Sequence, residues 1–151
     1  MEKSASFHIT TAEWQIMRAI WSNEHASATL IFSILEPKFH WKLSTIKTLL
    51  HRLVEKNIIR ATKEGKHFVY DTIFSERACE LACYQQLLTK TCSTKIGAIL
   101  NALLEQNTLS FDDVDCIEKT LARKRSNGML VEKIVCNCLP GLCTCANHLT
   151  S

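Results

Sequence analysis

The chain of 151 residues has no run of about 18 or more apolar residues, so no stretch of it is fit to span a bilayer as a helix. Its opening Met1-Glu2-Lys3-Ser4 is not followed by the apolar segment of a secretory leader, and a cytoplasmic setting with few lasting disulfides is the expectation. A Gly-rich phosphate loop, a His-Glu-x-x-His pair and a convincing nucleophile constellation are all missing, which argues against an enzyme. A thioredoxin-like C-x-x-C is missing too. Net charge is only +3, so any preference for a polyanion has to come from how the charges are distributed.

Cysteine, by contrast, is plentiful. Cys136, Cys138, Cys143 and Cys145 are spaced C-x-C-x-x-x-x-C-x-C around Leu139-Pro140-Gly141-Leu142. Pro140 presets φ for the second position of a tight turn and Gly141 tolerates the positive φ of the third, so the two C-x-C arms fold back face to face. In a reducing compartment such a cluster is read as a metal cage rather than a disulfide staple. Sulfur-only ligation selects Zn(II), Cu(I) or an iron–sulfur cluster over hard ions.

Charge is concentrated between Lys38 and Lys66, where eight basic residues face two acidic ones. Apolar residues of helical spacing frame this region. Thr11 to Trp21 carries Trp14, Met17, Ile20 and Trp21 behind a Thr10 or Thr11 cap, with Glu13 in the first turn. A short second helix is expected from Ser27 to Leu35, stopped by Pro37. The third, Ser44 to Lys56, buries Ile46, Leu49, Leu50, Leu53 and Val54 behind a Ser44 N-cap. Its other side gathers Thr45, Lys47, Thr48, His51 and Arg52, the hydroxyls and cations that suit phosphates and the major groove. Strands at Ile58 to Thr62 and His67 to Thr72, joined by Lys63-Glu64-Gly65-Lys66, complete a winged helix-turn-helix order with two lysines in the loop. Trp14, Trp21 and Trp41 are read as packing residues rather than stacking platforms for bases.

The run Thr11-Ala12-Glu13-Trp14-Gln15-Ile16-Met17-Arg18-Ala19-Ile20-Trp21, the stretch Thr45-Ile46-Lys47-Thr48-Leu49-Leu50-His51-Arg52-Leu53 and the wing Lys63-Glu64-Gly65-Lys66-His67-Phe68-Val69-Tyr70 resemble the penicillinase-repressor family. The C-terminal cysteine pattern is similar to that of its CopY-type copper-responsive members. The resemblance implies a homodimer on an inverted repeat in promoters of copper-homeostasis genes. Zn(II) in the tail would support DNA binding and Cu(I) would act as inducer, two coppers replacing one zinc, with a copper chaperone as a potential donor. It also implies DNA contacts from Lys42, Thr45, Lys47, Thr48 and Arg52 on the recognition helix and from Lys63 and Lys66 on the wing, with Cys136, Cys138, Cys143 and Cys145 as metal ligands. The other input known in the family, proteolysis at an Asn-Phe bond in response to β-lactams, is disfavoured because the similar position reads Asn101-Ala102.

The expected architecture is therefore mainly α with a small β wing: a DNA-binding domain over 1–73, a helical dimerisation segment over 74–125 and a flexible metal-binding tail over 126–151. Helices are expected from Ser75 to Thr89, Thr94 to Glu105 and Ser110 to Lys124, each behind a Ser or Thr cap. Their apolar stripes are too small to form a core alone. Pairing two chains would bury them and set two recognition helices about 34 to 36 Å apart. Cys79 and Cys83, four apart on one helix face, are read as small core residues, and so are Cys92 and Cys116. His148 is read as a solvated terminal side chain. Four thiolates around one Zn(II) or around two Cu(I) carry the same net charge, so the signal is expected to lie in cage geometry acting on the linker from Ser126 to Val135. Without metal the tail is expected to be mobile.

Overall fold

The computed structural model describes residues 8–145, which divide between Gln86 and Leu87 into two units. Helix α1 (Thr11–Trp21) begins where the Thr10 hydroxyl accepts from the Glu13 amide and the Glu13 carboxylate accepts from the Thr10 amide, a reciprocal capping box. Its apolar positions Ile16, Met17 and Ile20 point into the core of the first unit. The two-residue strand β1 (Ala26–Ser27) leads into α2 (Ala28–Phe39), capped by the Ser27 hydroxyl. Pro37 does not stop this helix, contrary to the sequence expectation. It withholds the amide that would reach the Ser33 carbonyl, but Ser33 and Pro37 are both exposed, so water can take that place, and the helix closes only when His40 turns left-handed and returns its amide to the Glu36 carbonyl.

Helix α3 (Leu43–Glu55) starts one residue before the expected Ser44 cap. Lys42 is the N-cap, and no side chain caps the first turn. The helix ends on a left-handed Asn57, whose amide reaches the Val54 carbonyl while the Ile58 amide reaches Leu53. Ile58 and Leu53 are both buried at that corner, so the chain leaves α3 directly into β2 (Ile59–Glu64), which pairs antiparallel with β3 (His67–Thr72). The sheet order is β1-β3-β2, with Ala26 opposite Tyr70. Because Glu64 pairs with His67, the hairpin loop is only Gly65-Lys66, and Gly65 takes the positive φ that the first position of such a loop requires. Lys63 therefore lies in β2 opposite Phe68, and Lys66 alone of the two lysines stands at the tip.

One core joins the three helices and the sheet: Ile16, Met17, Ile31, Ile46, Leu50, Leu53, Ile58 and Ile59 are almost completely buried. Trp21 donates its indole N–H to the Phe74 carbonyl at 3.1 Å and packs edge-on against Trp14, while Trp41 stacks on Phe39. These contacts agree with the packing role expected of the tryptophans. Helix α4 (Glu76–Leu88), capped by Ser75, follows the sheet and buries Cys79.

The second unit carries a 3-10 turn (Ser93–Lys95), α5 (Ile96–Gln106) and α6 (Phe111–Ser126). Thr94 falls inside the turn and does not cap α5. Ser110 does cap α6, in a second reciprocal box with Asp113. Gly128, at positive φ, lets the Met129 amide reach the Lys124 carbonyl and ends α6. Neither α5 nor α6 buries a residue in the single chain, and Leu100, Leu103, Val114 and Leu121 are all exposed, as is Phe111 at 93%. Among the described residues no helix is long and apolar enough to cross a membrane.

Candidate nucleic-acid face and thiol cluster

The packing of α3 dictates what it shows to solvent. Ile46, Leu49, Leu50 and Leu53 face the core, which leaves Lys42, Thr45, Lys47, Thr48 and Arg52 exposed. The one acidic residue of the helix, Glu55, lies at its far end and pairs with His51 at 3.3 Å. The Thr48 hydroxyl donates to the Ser44 carbonyl, which orients its oxygen as an acceptor, and Thr45 is free of such a bond among the side-chain contacts of α3. Uncapped amides at the start of α3 add a partial positive charge beside these side chains. Lys63 and Lys66 are exposed on the wing.

Lys56, counted in the basic stretch by sequence, is withdrawn from it. Its ammonium lies 2.7 Å from the Glu13 carboxylate and 2.8 Å from the His8 carbonyl. Glu13 is 1% exposed. Burial pushes its carboxyl up, yet the Lys56 ammonium and the Thr10 amide and hydroxyl together hold it below the usual carboxylate value. The pair thereby ties the last turn of α3 to the first turn of α1.

In the second unit the tail folds as its sequence expects at the turn: the Leu142 amide returns to the Leu139 carbonyl at 3.0 Å and Gly141 has φ of +88°. The sulfur of Cys143 lies 3.4 Å from that of Cys136 and 3.3 Å from that of Cys145. A fifth cysteine joins them. Cys92, at the N-cap of the 3-10 turn, places its sulfur 3.5 Å from Cys136 and 3.9 Å from Cys145. The sulfurs of Cys92, Cys136, Cys138 and Cys143 all lie within 4.8 Å of one another. Cys145 stands at the edge of that set. None of the five is in a disulfide.

Four sulfurs, each about 2.3 Å from a tetrahedral ion, stand about 3.8 Å apart. Within the set, Cys136 stands 3.5 Å from Cys92 and 3.4 Å from Cys143 and no pair is farther apart than 4.8 Å, a spread around that edge length that fits a soft, four-coordinate ion. Outer contacts also polarise the sulfurs. The Thr94 hydroxyl and amide lower the Cys92 thiol to about 6, and the Cys145 amide and thiol lower Cys143. The Cys138 amide pulls Cys136 down, but burial and the neighbouring thiols Cys145, Cys143 and Cys92 prevail and raise it; burial likewise raises Cys138. Crowded thiols thus share few negative charges among themselves, and a cation admits more.

The remaining cysteines are not among these sulfurs. Cys79 is fully buried in the first unit and its thiol is pushed up to about 11 by burial and by Cys83, which fits a core residue. Cys116 is exposed on α6. His148 lies outside the described residues. Cys92, expected from sequence to be a small core residue, joins the cluster instead, and no local spacing marks it, since it lies 44 residues before Cys136.

Residues 9–123 match the penicillinase repressor family. The chain is 38% identical over 137 residues, 91% of this chain and 92% of the relative, to an uncharacterized 16.5 kDa protein of Latilactobacillus sakei. It is 27% identical over 119 residues, 79% of this chain and 97% of the relative, to the methicillin resistance regulatory protein MecI of Mammaliicoccus sciuri. Among solved structures it is similar to the monomeric form of BlaI from Bacillus licheniformis in complex with the blaP half-operator, with 30% identity over 48% of this chain and 88% of that one and a TM-score of 0.43.

Proposed function

The chain belongs to the penicillinase repressor family of DNA-binding transcriptional repressors, and we propose that it is a copper-responsive member that acts as a homodimer on promoter DNA. The observation that carries the sensory part is the thiol cluster: sulfurs alone, at the spacing of a soft-ion cage, beside a repressor fold. Zn(II) and Cu(I) are the ions suited to such a set. In this reading Zn(II) occupies the cluster in the DNA-bound form, Cu(I) is the inducer that takes its place, and the regulated genes serve copper homeostasis in the cytosol.

On the DNA side, Lys42, Thr45, Lys47, Thr48 and Arg52 enter or flank the major groove, and Lys63 and Lys66 reach phosphates from the wing. All seven are exposed, and the core fixes the helix that presents five of them. The homodimer is supported by α5 and α6, which bury nothing within one chain and present Leu100, Leu103, Phe111 and Leu121 outward. The three-part division at 73 and 125 remains a functional proposal beside the two observed units.

The test is a titration of the purified full-length protein on a duplex it selects from a random pool. Zn(II) and then Cu(I) are added while metal content and DNA release are followed together. Retention by Zn(II) and release by Cu(I) are expected. A complex indifferent to both ions overturns the sensory reading, and failure to select any duplex overturns the repressor assignment.

A further inference from the structure

We propose that Cys92 is a ligand of the tail's metal site, completing with Cys136, Cys138 and Cys143 a four-sulfur cage in which Cys145 is the spare thiol. The proposal rests on the reading of the cluster as a soft-metal site and adds to it a residue from outside the C-x-C-x-x-x-x-C-x-C segment.

Geometry comes first. The four sulfurs that all lie within 4.8 Å of one another include Cys92 and leave out Cys145. The 3.5 Å from Cys92 to Cys136 is close to the tetrahedral edge of about 3.8 Å expected at zinc–sulfur distances. Second, the approach of Cys92 is fixed by contacts that involve no sulfur. The Ser93 amide donates to the Asn137 side-chain carbonyl at 3.1 Å, and the Ser93 hydroxyl donates to the Val135 carbonyl at 2.7 Å. Asn137 is the residue between the first two tail cysteines, so these bonds hold that C-x-C arm against the turn that carries Cys92. Third, the ordinary reading of a buried cysteine as core filler does not fit. Cys92 is buried, but it lies outside the apolar core cluster and its polar neighbours are other sulfurs and the Thr94 hydroxyl. The Thr94 hydroxyl, 3.1 Å from the Cys92 sulfur, is the outer-sphere donor that a thiolate ligand needs.

The consequence is a clamp. A cage built only from the tail closes on itself and leaves the rest of the chain indifferent to it. A cage that includes Cys92 joins residues 44 apart and fastens the tail to the turn that opens α5, the helix whose apolar face is unburied in one chain. Metal occupancy is thereby mechanically linked to the segment proposed for dimerisation.

The test loads the full-length protein with Co(II), whose thiolate charge-transfer absorption reports the number of bound sulfurs, and measures Zn(II) affinity by chelator competition. Because Cys145 can move into a vacated position, Cys92→Ser is made in a Cys145→Ser background, where it is expected to lose about a quarter of the charge-transfer intensity, one sulfur of four, and to weaken Zn(II) more than the roughly 10- to 100-fold loss typical of an outer-sphere partner. Cys145→Ser is expected to keep the four-sulfur spectrum. The latter variant alters a partly exposed side chain and keeps the test decisive even where Cys92→Ser unfolds the turn. A Cys145→Ser protein reduced to three sulfurs, or a folded Cys92→Ser/Cys145→Ser protein that still binds through four, overturns the assignment of Cys92 while leaving a tail site in place. Wild-type protein that binds neither Co(II) nor Zn(II) overturns the underlying metal-site reading as well.

Discussion

Replacing Lys56 with methionine isolates the contact between the recognition helix and α1. Methionine keeps most of the aliphatic stem and removes the ammonium that lies 2.7 Å from Glu13. Removing one partner of a fully buried pair costs about 3 to 5 kcal/mol, because the other charge is left without compensation. Glu13 is buried to that degree at 1% exposure, but the Lys56 side chain is 33% exposed, so water already screens part of the attraction. The Thr10 amide also stays in place at 2.9 Å. The expected loss at neutral pH is therefore about 2 to 3 kcal/mol, below the fully buried range. Trp14, Trp21 and Trp41 all lie in the first unit, so urea unfolding followed by tryptophan fluorescence reads this region selectively. Acid supplies a second signature. In the wild type the Glu13 carboxyl is held below its ordinary 4.5, so the pair stabilises the fold above that pH and loses its contribution as pH falls through the lowered folded value. In the variant, burial is opposed only by Thr10 and the carboxyl is expected to rise above 4.5, so protonation relieves the strain. The gap between the two proteins should shrink between pH 7 and about pH 4. Glu13→Gln combined with Lys56→Met should recover part of the loss. A gap that is the same at both pH values, or a double variant no better than Lys56→Met alone, refutes the reasoning.

Binding to a selected duplex should weaken steeply with added salt. Five cations per chain, Lys42, Lys47, Arg52, Lys63 and Lys66, bound the slope for a dimer at about −9 in log affinity against log salt, and Lys47→Ala should reduce its magnitude by about 2. A slope near zero would count against phosphate contacts. Leu103→Asp, on the exposed face of α5, should shift sedimentation from dimer to monomer without loss of helical circular dichroism; a persisting dimer would place the interface elsewhere. Replacing Cys136 and Cys138 together with serine should abolish release from DNA by Cu(I), and a double variant still released normally would remove the cluster from the sensory role.

What could be read from the sequence follows the range of the interactions involved. Helices α1 and α6 are set by apolar spacing and by caps within a few residues, which Thr10, Glu13 and Ser110 already announce, whereas α3 is set by apolar spacing alone and the expected Ser44 cap is not made. The Pro140-Gly141 turn is equally local. Strand β1 is not legible, because its two residues are strand only through pairing with Tyr70 and Val69, more than forty positions away. Pro37 misleads for the opposite reason: it removes one local bond, to the Ser33 carbonyl, on an exposed face where water can replace it, and the packing of Ile31 and Leu35 carries the helix on to Phe39. Lys56 and Cys92 show the same limit at the candidate sites. Composition counts Lys56 as part of a basic patch, and only the fold brings it to Glu13, 43 residues earlier. Cys92 belongs to no motif, and only the packing of residues 135–137 against the 3-10 turn reveals its neighbours.

That packing also bears on how exchanging one metal for another could loosen DNA when the cage charge does not change. Zn(II) and a pair of Cu(I) ions leave four thiolates with the same net charge, so electrostatics gives the fold no signal. Five sulfurs give it a choice. The set with Cys92 and the set with Cys145 share Cys136, Cys138 and Cys143, and Cys145 stands 3.9 Å from Cys92 and 3.3 Å from Cys143, close enough to take over. It follows from the proposal that the first set holds the tail on the turn before α5 while the second closes the tail on itself. The shift between them moves a clamp without moving a charge. An ion that prefers the second set releases α5 by that preference alone, and by no more than its difference in affinity for the two sets. The Ser93 hydroxyl bond to the Val135 carbonyl favours the clamped arrangement, so Ser93→Ala, which removes that bond and keeps the amide bond to Asn137, should lower the Cu(I) concentration needed for release from DNA, and an unchanged or higher requirement would separate the clamp from the response.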